Sequence, residues 1–317
     1  MKEFKITEKS IRKDRPVEYL TVPPFPQNML ISLTSLCNHK CIMCAHSMPN
    51  SFPGRKYMPL EKAKNILRQA RELGTCEVGF HSMGEPFLSK DLEAAVLEAK
   101  NLGYEYIYFT TNGSLATEER IKNLFQNGLS SIKFSVNAGN AETYKKVHGR
   151  NDFQKVIDNI IIADKIRKEL RVDVGIFISF IETQINKGQA KNLFNILENH
   201  IDYLYSLPSH NQGGNMNWRI EDKIVNKNNI SRCPRPFNCF HVTPEGYLNA
   251  CCMDLHNYLA YADLNKTTLK EAWINSDVQI LRNQHINETL PKNGLCYNCL
   301  NNTNNEIESI SQELADI

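Results

Sequence analysis

Hydrophobic and polar positions alternate with two different periods along this chain. Met29 to Thr34 is a short apolar run of strand type. Residues 59–73 then place Leu60, Ala63, Ile66, Leu67, Ala70 and Leu73 at the three- and four-residue spacing of one helix face. Pro59 suits the first helical position and Gly74 the stop. The same alternation recurs. Glu77 to His81 predicts a strand, Leu92 to Leu102 a helix and Tyr104 to Thr110 a strand. A helix follows between the N-cap Thr117 and the stop Gly128. Ser131 to Val136 is the fourth strand, and Phe153 to Leu170 is a long helix with Val156, Ile157, Ile160, Ile161 and Ile166 inward. Val172 to Ile181 is the fifth strand, 187–199 the fifth helix and Ile201 to Leu207 the sixth strand. Strands alternating with helices predict βα units and a parallel sheet. Six units fall short of a closed eight-unit barrel, so the pattern predicts an α/β fold of open, partial-barrel or doubly wound type. Either form places its ligand beyond the C-terminal ends of the strands. The places to search are therefore just after Thr34, His81, Thr110, Val136, Ile181 and Leu207.

Outside these units the pattern weakens. Residues 1–28 read as a polar extension ending in the proline-rich turn Val22-Pro23-Pro24-Phe25-Pro26, and 29–208 as the βα domain. Residues 209–232, with Gly213-Gly214, read as a linker or substrate loop. Residues 233–300 read as a second, cysteine-rich unit, and 301–317 as a polar, poorly ordered tail. Lys plus Arg is 37 and Asp plus Glu is 35, a net charge of +2. That balance gives no electrostatic basis for nucleic acid or an anionic membrane as the main partner. The longest apolar run is far shorter than the roughly 20 residues that span a bilayer. The first fifteen residues carry no apolar core of a secretory signal, so a cytoplasmic location is expected. In that reducing setting ten cysteines do not read as a disulfide framework. Three crowd into 37–44, six fall in 233–299 and Cys76 stands alone with a core role expected. Such clustering reads as ligation of a metal or cluster.

The first cluster is Cys37-Asn38-His39-Lys40-Cys41-Ile42-Met43-Cys44, a C-x3-C-x2-C triplet just past the first strand. Three thiolates on one loop can hold three irons of a [4Fe-4S] cube and leave the fourth open to a small ligand. A structural zinc site needs four closed ligands, for which His39 or His46 is available. The triplet in this setting resembles the radical S-adenosylmethionine (SAM) superfamily, and the resemblance covers roughly Met29 to Leu300. His81-Ser82-Met83-Gly84-Glu85-Pro86 resembles the family's G-G-E-P segment, which holds the methionyl amino group of SAM. Thr110-Thr111-Asn112-Gly113 resembles its T-N-G turn. Phe134-Ser135-Val136-Asn137 ends the fourth strand, where relatives contact the ribose and carboxylate. Gly175 to Glu182 resembles the fifth-strand G-x-I-x-G-x-x-E stretch. Met43 stands where the family has an aromatic residue beside the adenine, Met83 replaces a glycine, and Phe177 and Ser179 depart from the fifth-strand pattern. The resemblance implies SAM contacts at Met43, Gly84, Glu85, Pro86, Asn112, Ser135, Asn137, Ser179 and Glu182, with the cluster on Cys37, Cys41 and Cys44.

The second constellation is Cys233-x5-Cys239, then Gly246 to Cys251-Cys252, then Cys296-x2-Cys299. Phe240-His241-Val242 and Tyr247-Leu248 flank a Pro-Glu-Gly turn and predict a hairpin. The whole resembles the Twitch form of the SPASM auxiliary-cluster domain, a small hairpin-plus-helix unit. The resemblance implies one auxiliary [4Fe-4S] cluster on Cys233, Cys251, Cys296 and Cys299. Cys239 and Cys252 are rival ligands, and a four-cysteine zinc ribbon shares this spacing.

The family chemistry implied is reductive cleavage of SAM to a 5′-deoxyadenosyl radical, with an electron donor such as flavodoxin or ferredoxin. The Twitch-type extension is similar to that of the aminocyclitol dehydrogenases of butirosin biosynthesis. A sugar, cyclitol or similar polyol is therefore the expected substrate, with the auxiliary cluster as electron acceptor. Modification of a peptide or protein is the alternative. Ser209, His210, Asn211 and Gln212 follow the sixth strand, and His210 or Arg219 is expected to contact the substrate hydroxyl.

Overall fold

The structure is a computed structural model that describes residues 16–48, 56–209, 211–216 and 232–314. His210 and Arg219 lie outside the described residues. The βα series runs β1 (Asn28–Ile31), α1 (Leu60–Glu72), β2 (Glu77–Gly79), α2 (Leu92–Asn101), β3 (Tyr106–Thr111) and α3 (Glu118–Gln126). It continues through β4 (Ser131–Ser135), α4 (Ala141–His148), α5 (Phe153–Leu170), β5 (Gly175–Glu182), α6 (Ala190–Leu197) and β6 (Tyr203–Pro208). Beyond it lie α7 (Arg235–Asn238), β7 (Cys239–Val242), β8 (Tyr247–Asn249), β9 (Ala260–Asp263), α8 (Leu269–Trp273), α9 (Ser276–Ile286) and α10 (Leu295–Asn301).

The six expected strands pair in parallel as an unclosed barrel sheet, in the order 6-5-4-3-2-1. Their alternation sorts the two faces. Met29, Ile31, Val78, Phe80, Ile107, Phe109, Ile132, Phe134, Ile176, Ile178 and Phe180 point to the helices and are buried in one core. Burying each such side chain contributes about 1.5–3 kcal/mol relative to leaving it exposed. The alternate positions line the concave face and are largely polar or aromatic. There Asn28 Nδ2 donates to Glu77 at 3.0 Å and to the Tyr108 hydroxyl at 3.1 Å, and Tyr106 Oη donates to Ser131 Oγ at 2.7 Å.

Three features depart from expectation. First, the hairpin of the cysteine-rich unit is not a separate body. β7 pairs in parallel with β1, from Asn28↔Cys239 to Ile31↔Val242, so β7, β8 and β9 extend the barrel sheet to nine strands. Period-2 alternation signals a strand but carries no information about its partner. Second, α4 escapes the periodicity because its buried face is Thr143, Tyr144, Val147 and His148, half of it polar. Its boundary signals were present: Asn140 accepts from Thr143 N at 2.9 Å, and Gly149 stops the helix at φ 67°. Third, the tail folds back. Glu308 N bonds Asn293 O at 2.8 Å, Ile310 N bonds Tyr258 O at 2.9 Å, and Leu314 is buried. The N-terminal extension also packs: Trp273 Nε1 donates to Pro23 O at 3.0 Å, and Phe25 meets the Trp273 ring. Arg282 is completely buried, stacked over Trp273 at 3.9 Å and donating to Pro236 O and Trp273 O. No described helix is long and apolar enough to cross a membrane.

Candidate functional site: two cysteine clusters beside β1

The loop after β1 carries Cys37, Cys41 and Cys44. Burial pushes the Cys37 thiol up to about 12, partly offset by the His39 backbone N–H and the Asn112 side chain. Burial also raises Cys41, and Cys44 and Cys37 add to it. Thiols held this way lose their protons to a strongly cationic partner, which is the chemistry of a cluster-ligand set. Of the two histidines that could close a zinc site, His46 turns away and His39 stays beside Cys41. His39 Nε2 faces Asp152 at 3.4 Å, and His46 Nε2 meets Met83 O at 2.6 Å.

Backbone contact between neighbouring strand ends fixes this loop. Gly84 lies against it so closely that a Cβ there would sit 2.4 Å from Leu36 O and 2.6 Å from Thr34 O. Glu85 N bonds Leu36 O at 2.7 Å. The Glu85 carboxylate is buried and accepts from Phe87 N at 3.1 Å, Thr111 Oγ1 at 2.5 Å and Asn112 N at 2.7 Å. Its pKa is raised by burial in spite of these donors. Pro86 opens the short turn that this carboxylate caps. Asn112 Nδ2 donates to Asn38 Oδ1 at 2.8 Å, so the turn after β3 grips the cysteine loop itself. Glu85 and Asn112 therefore tie three strand ends together.

The other expected cofactor contacts fall at the same rim. Ser135 and Ser179 are register partners on β4 and β5, with their hydroxyls 3.1 Å apart. Glu182 is half-buried at the end of β5. Asn137 is buried with Oδ1 accepting from Ile181 N at 2.7 Å. Met43 is buried in the loop, and its carbonyl accepts from Gln212 Nε2 at 2.7 Å.

The second cluster gathers at the end of the hairpin where β7 begins and β8 stops. Burial raises the pKa of Cys233, Cys296 and Cys299; Cys233 and Cys299 add to the rise at Cys296, and Cys233 adds to that at Cys299, which reaches about 11. The Cys251 thiol is raised first by its hydrogen bond with Cys252 and then by burial, and it also feels Cys233. Cys252 acts on both Cys233 and Cys299, so these vicinal thiols remain rivals for one position of the cage. Cys239 points across the sheet instead, with Sγ 3.4 Å from Asn28 Oδ1 on β1. Cys76 is a buried thiol beside Gln27 O, as its isolation implied. Asp254 organises the loop after Cys252. Its buried carboxylate accepts from Leu259 N at 2.6 Å, Asn249 Nδ2 at 2.8 Å and His256 N at 3.2 Å.

Two small elements join the clusters. Gln212 spans the cysteine loop with both ends of its amide, taking Ala45 N at 2.9 Å and giving to Met43 O at 2.7 Å. The backbone N–H of the next residue, Gly213, lowers the Cys299 pKa and donates to Asn211 Oδ1 at 3.3 Å. Gly213 has φ 73°, and a Cβ there would meet Leu295 at 2.5 Å. Ser82, held at φ 145°, donates from Oγ to Cys252 O at 2.7 Å. Gln212 and Ser82 were in view as substrate-loop and motif residues, but nothing in their spacing signals this bridging role. Lys133 carries no motif signal in the sequence. It is half-buried on the concave face, between Ser131 and Ser135 and in register with Thr110.

A three-cysteine loop at the first strand end of an open parallel sheet, with a cysteine cage on the same sheet, defines an iron–sulfur enzyme of the partial-barrel class. Residues 31–183 match the radical SAM superfamily, and residues 233–300 match an iron–sulfur cluster-binding domain, SPASM. The chain thus carries a radical SAM domain followed by a SPASM domain, and these domains imply a SAM-binding [4Fe-4S] cluster, auxiliary iron–sulfur and SAM as cofactors. A probable GTP 3′,8-cyclase of Saccharolobus solfataricus is 30% identical over 172 residues, 54% of this chain and 52% of that protein. A second, from Archaeoglobus fulgidus, is 35% identical over 133 residues, 42% and 43% of the two chains. The chain thus spans about half the length or less of these curated relatives. Among solved structures, BtrN in complex with AdoMet and 2-DOIA aligns with TM-score 0.61 at 20% identity, over 90% of this chain and 97% of BtrN. Streptococcus suis SuiB bound to its precursor peptide SuiA aligns with TM-score 0.67 at 16% identity, over 87% and 70%. Both show a shared fold.

Proposed function

We propose that this enzyme oxidises a secondary hydroxyl of a sugar, cyclitol or related polyol to a ketone. The carrying observation is the concave face of the sheet. Tyr106, Tyr108, Thr110, Ser131, Lys133, Ser135 and Ser179 line it together with Leu30 and Phe177, whereas the strand residues facing the helices are mostly apolar. A hydroxyl-rich ligand exchanges its bonds to water for bonds to such a wall. Near-complete mutual coverage with BtrN also supports the reading.

In it, Cys37, Cys41 and Cys44 hold the SAM-binding cluster, while Cys233, Cys296, Cys299 and one of Cys251 or Cys252 hold the auxiliary one. When bound, these groups supply one-electron cleavage of SAM and a sink for the electron lost by the substrate. The chain's residues position and shield. Glu85 and Asn112 hold the cysteine loop against two strand ends, and Gly84 lets the backbones meet. Lys133 orients the substrate hydroxyls. The carbon–hydrogen bond and the hydroxyl proton are both lost, giving a ketone by net removal of two electrons and two hydrogens. The hydrogen atom leaves with 5′-deoxyadenosine and the proton passes to solvent or a base. His210 or Arg219 is proposed to contact that hydroxyl.

Peptide modification is a second reading, favoured by the TM-score of 0.67 with peptide-bound SuiB. The test is anaerobic incubation of the reconstituted enzyme with SAM, a reductant and a panel of aminocyclitols, sugars and cysteine-rich peptides. A ketone formed together with 5′-deoxyadenosine supports the proposal. A peptide product with no carbonyl from any polyol sinks it.

A further inference from the structure

His39, Cys41 and His148 bring their ligand atoms within 4.8 Å of one another beside the cysteine loop. Such a group invites assignment as a metal site of its own, but the hydrogen bonds around His148 decide otherwise. The imidazole is completely buried, and its Nε2 lies 3.1 Å from the backbone N of Asn137. A backbone N–H can only donate, so Nε2 must offer its lone pair. A neutral imidazole carries one ring proton, and that proton is therefore on Nδ1. Nδ1 lies 3.3 Å from Cys41 Sγ. With its proton in place Nδ1 has no lone pair for a metal, so it donates to the sulfur.

The surroundings lock this orientation. The His148 ring stacks on Tyr144 with centroids 4.1 Å apart and an interplanar angle of 16°. His39 meets both rings edge-on, 5.5 Å from His148 and 6.2 Å from Tyr144. Ile42 N and Lys40 N bond Val147 O and His148 O, which fastens the end of α4 along the cysteine loop. Asn137, which supplies the deciding N–H, has its own side chain clamped by Ile181 N.

We propose that His148 is a positioning and tuning residue of the SAM-binding cluster, donating an Nδ1–H···S hydrogen bond to the Cys41 thiolate. This rests on the assignment of Cys41 as a cluster ligand. A donor at a ligating sulfur withdraws charge and makes the added electron easier to hold, raising the reduction potential. The enzyme must reduce this cluster before SAM can be cleaved, so the bond favours the first electron transfer.

The test uses the reconstituted full chain. The reduced cluster whose EPR signal changes on adding SAM is titrated electrochemically in wild type, His148→Phe and His148→Gln. Phe keeps the aromatic stack and removes the donor, whereas Gln offers an amide N–H. We expect the Phe variant to shift the reduction equilibrium about tenfold toward the oxidised cluster, about 59 mV for one electron. The Gln variant should recover part of the shift. In wild-type protein labelled with 15N-histidine, pulsed EPR should show the weak coupling of a hydrogen-bonded nitrogen. An unchanged midpoint in an iron-replete Phe variant overturns the proposal, as does the strong coupling of a directly bound nitrogen. Failure of the underlying assignment looks different: a SAM-responsive signal would survive in Cys41→Ala.

Discussion

The two cysteine clusters answer the same chemical requirement with opposite construction. In the loop after β1, three cysteines lie within eight residues, and the surrounding strand ends hold them. In the C-terminal cage the cysteines come from three separate stretches across 233–299, and they meet only because the chain between them folds. Each cluster nevertheless relies on one buried carboxylate to gather backbone N–H groups. Glu85 serves the first and Asp254 the second, and burial raises the pKa of both. The difference teaches where fragility lies. The first cluster depends on close approach of backbones, as at Gly84, and the second on the packing of a hairpin against β1.

The sharpest way to break this pairing is to remove one ligand from each side. Cys44→Ala should abolish formation of 5′-deoxyadenosine, with a fall of about four irons per chain if that cluster is a [4Fe-4S] cube. Cys296→Ala should lose a similar amount of iron yet still cleave SAM, uncoupling 5′-deoxyadenosine from the oxidised product. Product-to-deoxyadenosine ratios distinguish the two variants, and equal loss of cleavage in both would end the division of labour.

Gly84→Ala probes the backbone approach. Its Cβ would meet carbonyl oxygens that cannot swing aside, so destabilisation of about 3 kcal/mol is expected, read by denaturant unfolding of the reconstituted protein. Gln212→Ala removes the two bonds that clamp Met43 and Ala45, with an expected cost of about 1–2 kcal/mol. It should speed iron loss to a chelator from the first cluster more than from the second.

The smallest effect is in pH dependence. A carboxyl whose pKa is higher folded than unfolded binds its proton more tightly in the native state. Stability then falls as pH rises from the ordinary value, 4.5 for Glu85, through the raised one. Glu85→Gln should flatten the slope of unfolding free energy against pH in that window. A slope identical to wild type would show that Glu85 does not titrate there.

Much of the first cluster was legible in the residues. Spacing placed Cys37, Cys41 and Cys44 on one loop, strand order placed it beside Gly84, Glu85 and Asn112, and those contacts follow from parallel neighbours ending at one rim. The bridging by Gln212 and the donor at His148 were not legible. Gln212 acts across a sequence separation of 167 residues, and α4 hides its buried face behind polar side chains.

The sequence alone determined the βα alternation, the parallel sheet, the three-cysteine loop and the presence of a second thiol set. These are written in local periodicity and short spacing, which act through neighbours along the chain. Tertiary structure alone decided that β7 joins β1, that Cys239 faces Asn28 and that His148 meets Cys41 with its proton on Nδ1. Each depends on which distant backbone lies alongside, and on hydrogen-bond partners supplied by other elements. Periodicity carries neither kind of information.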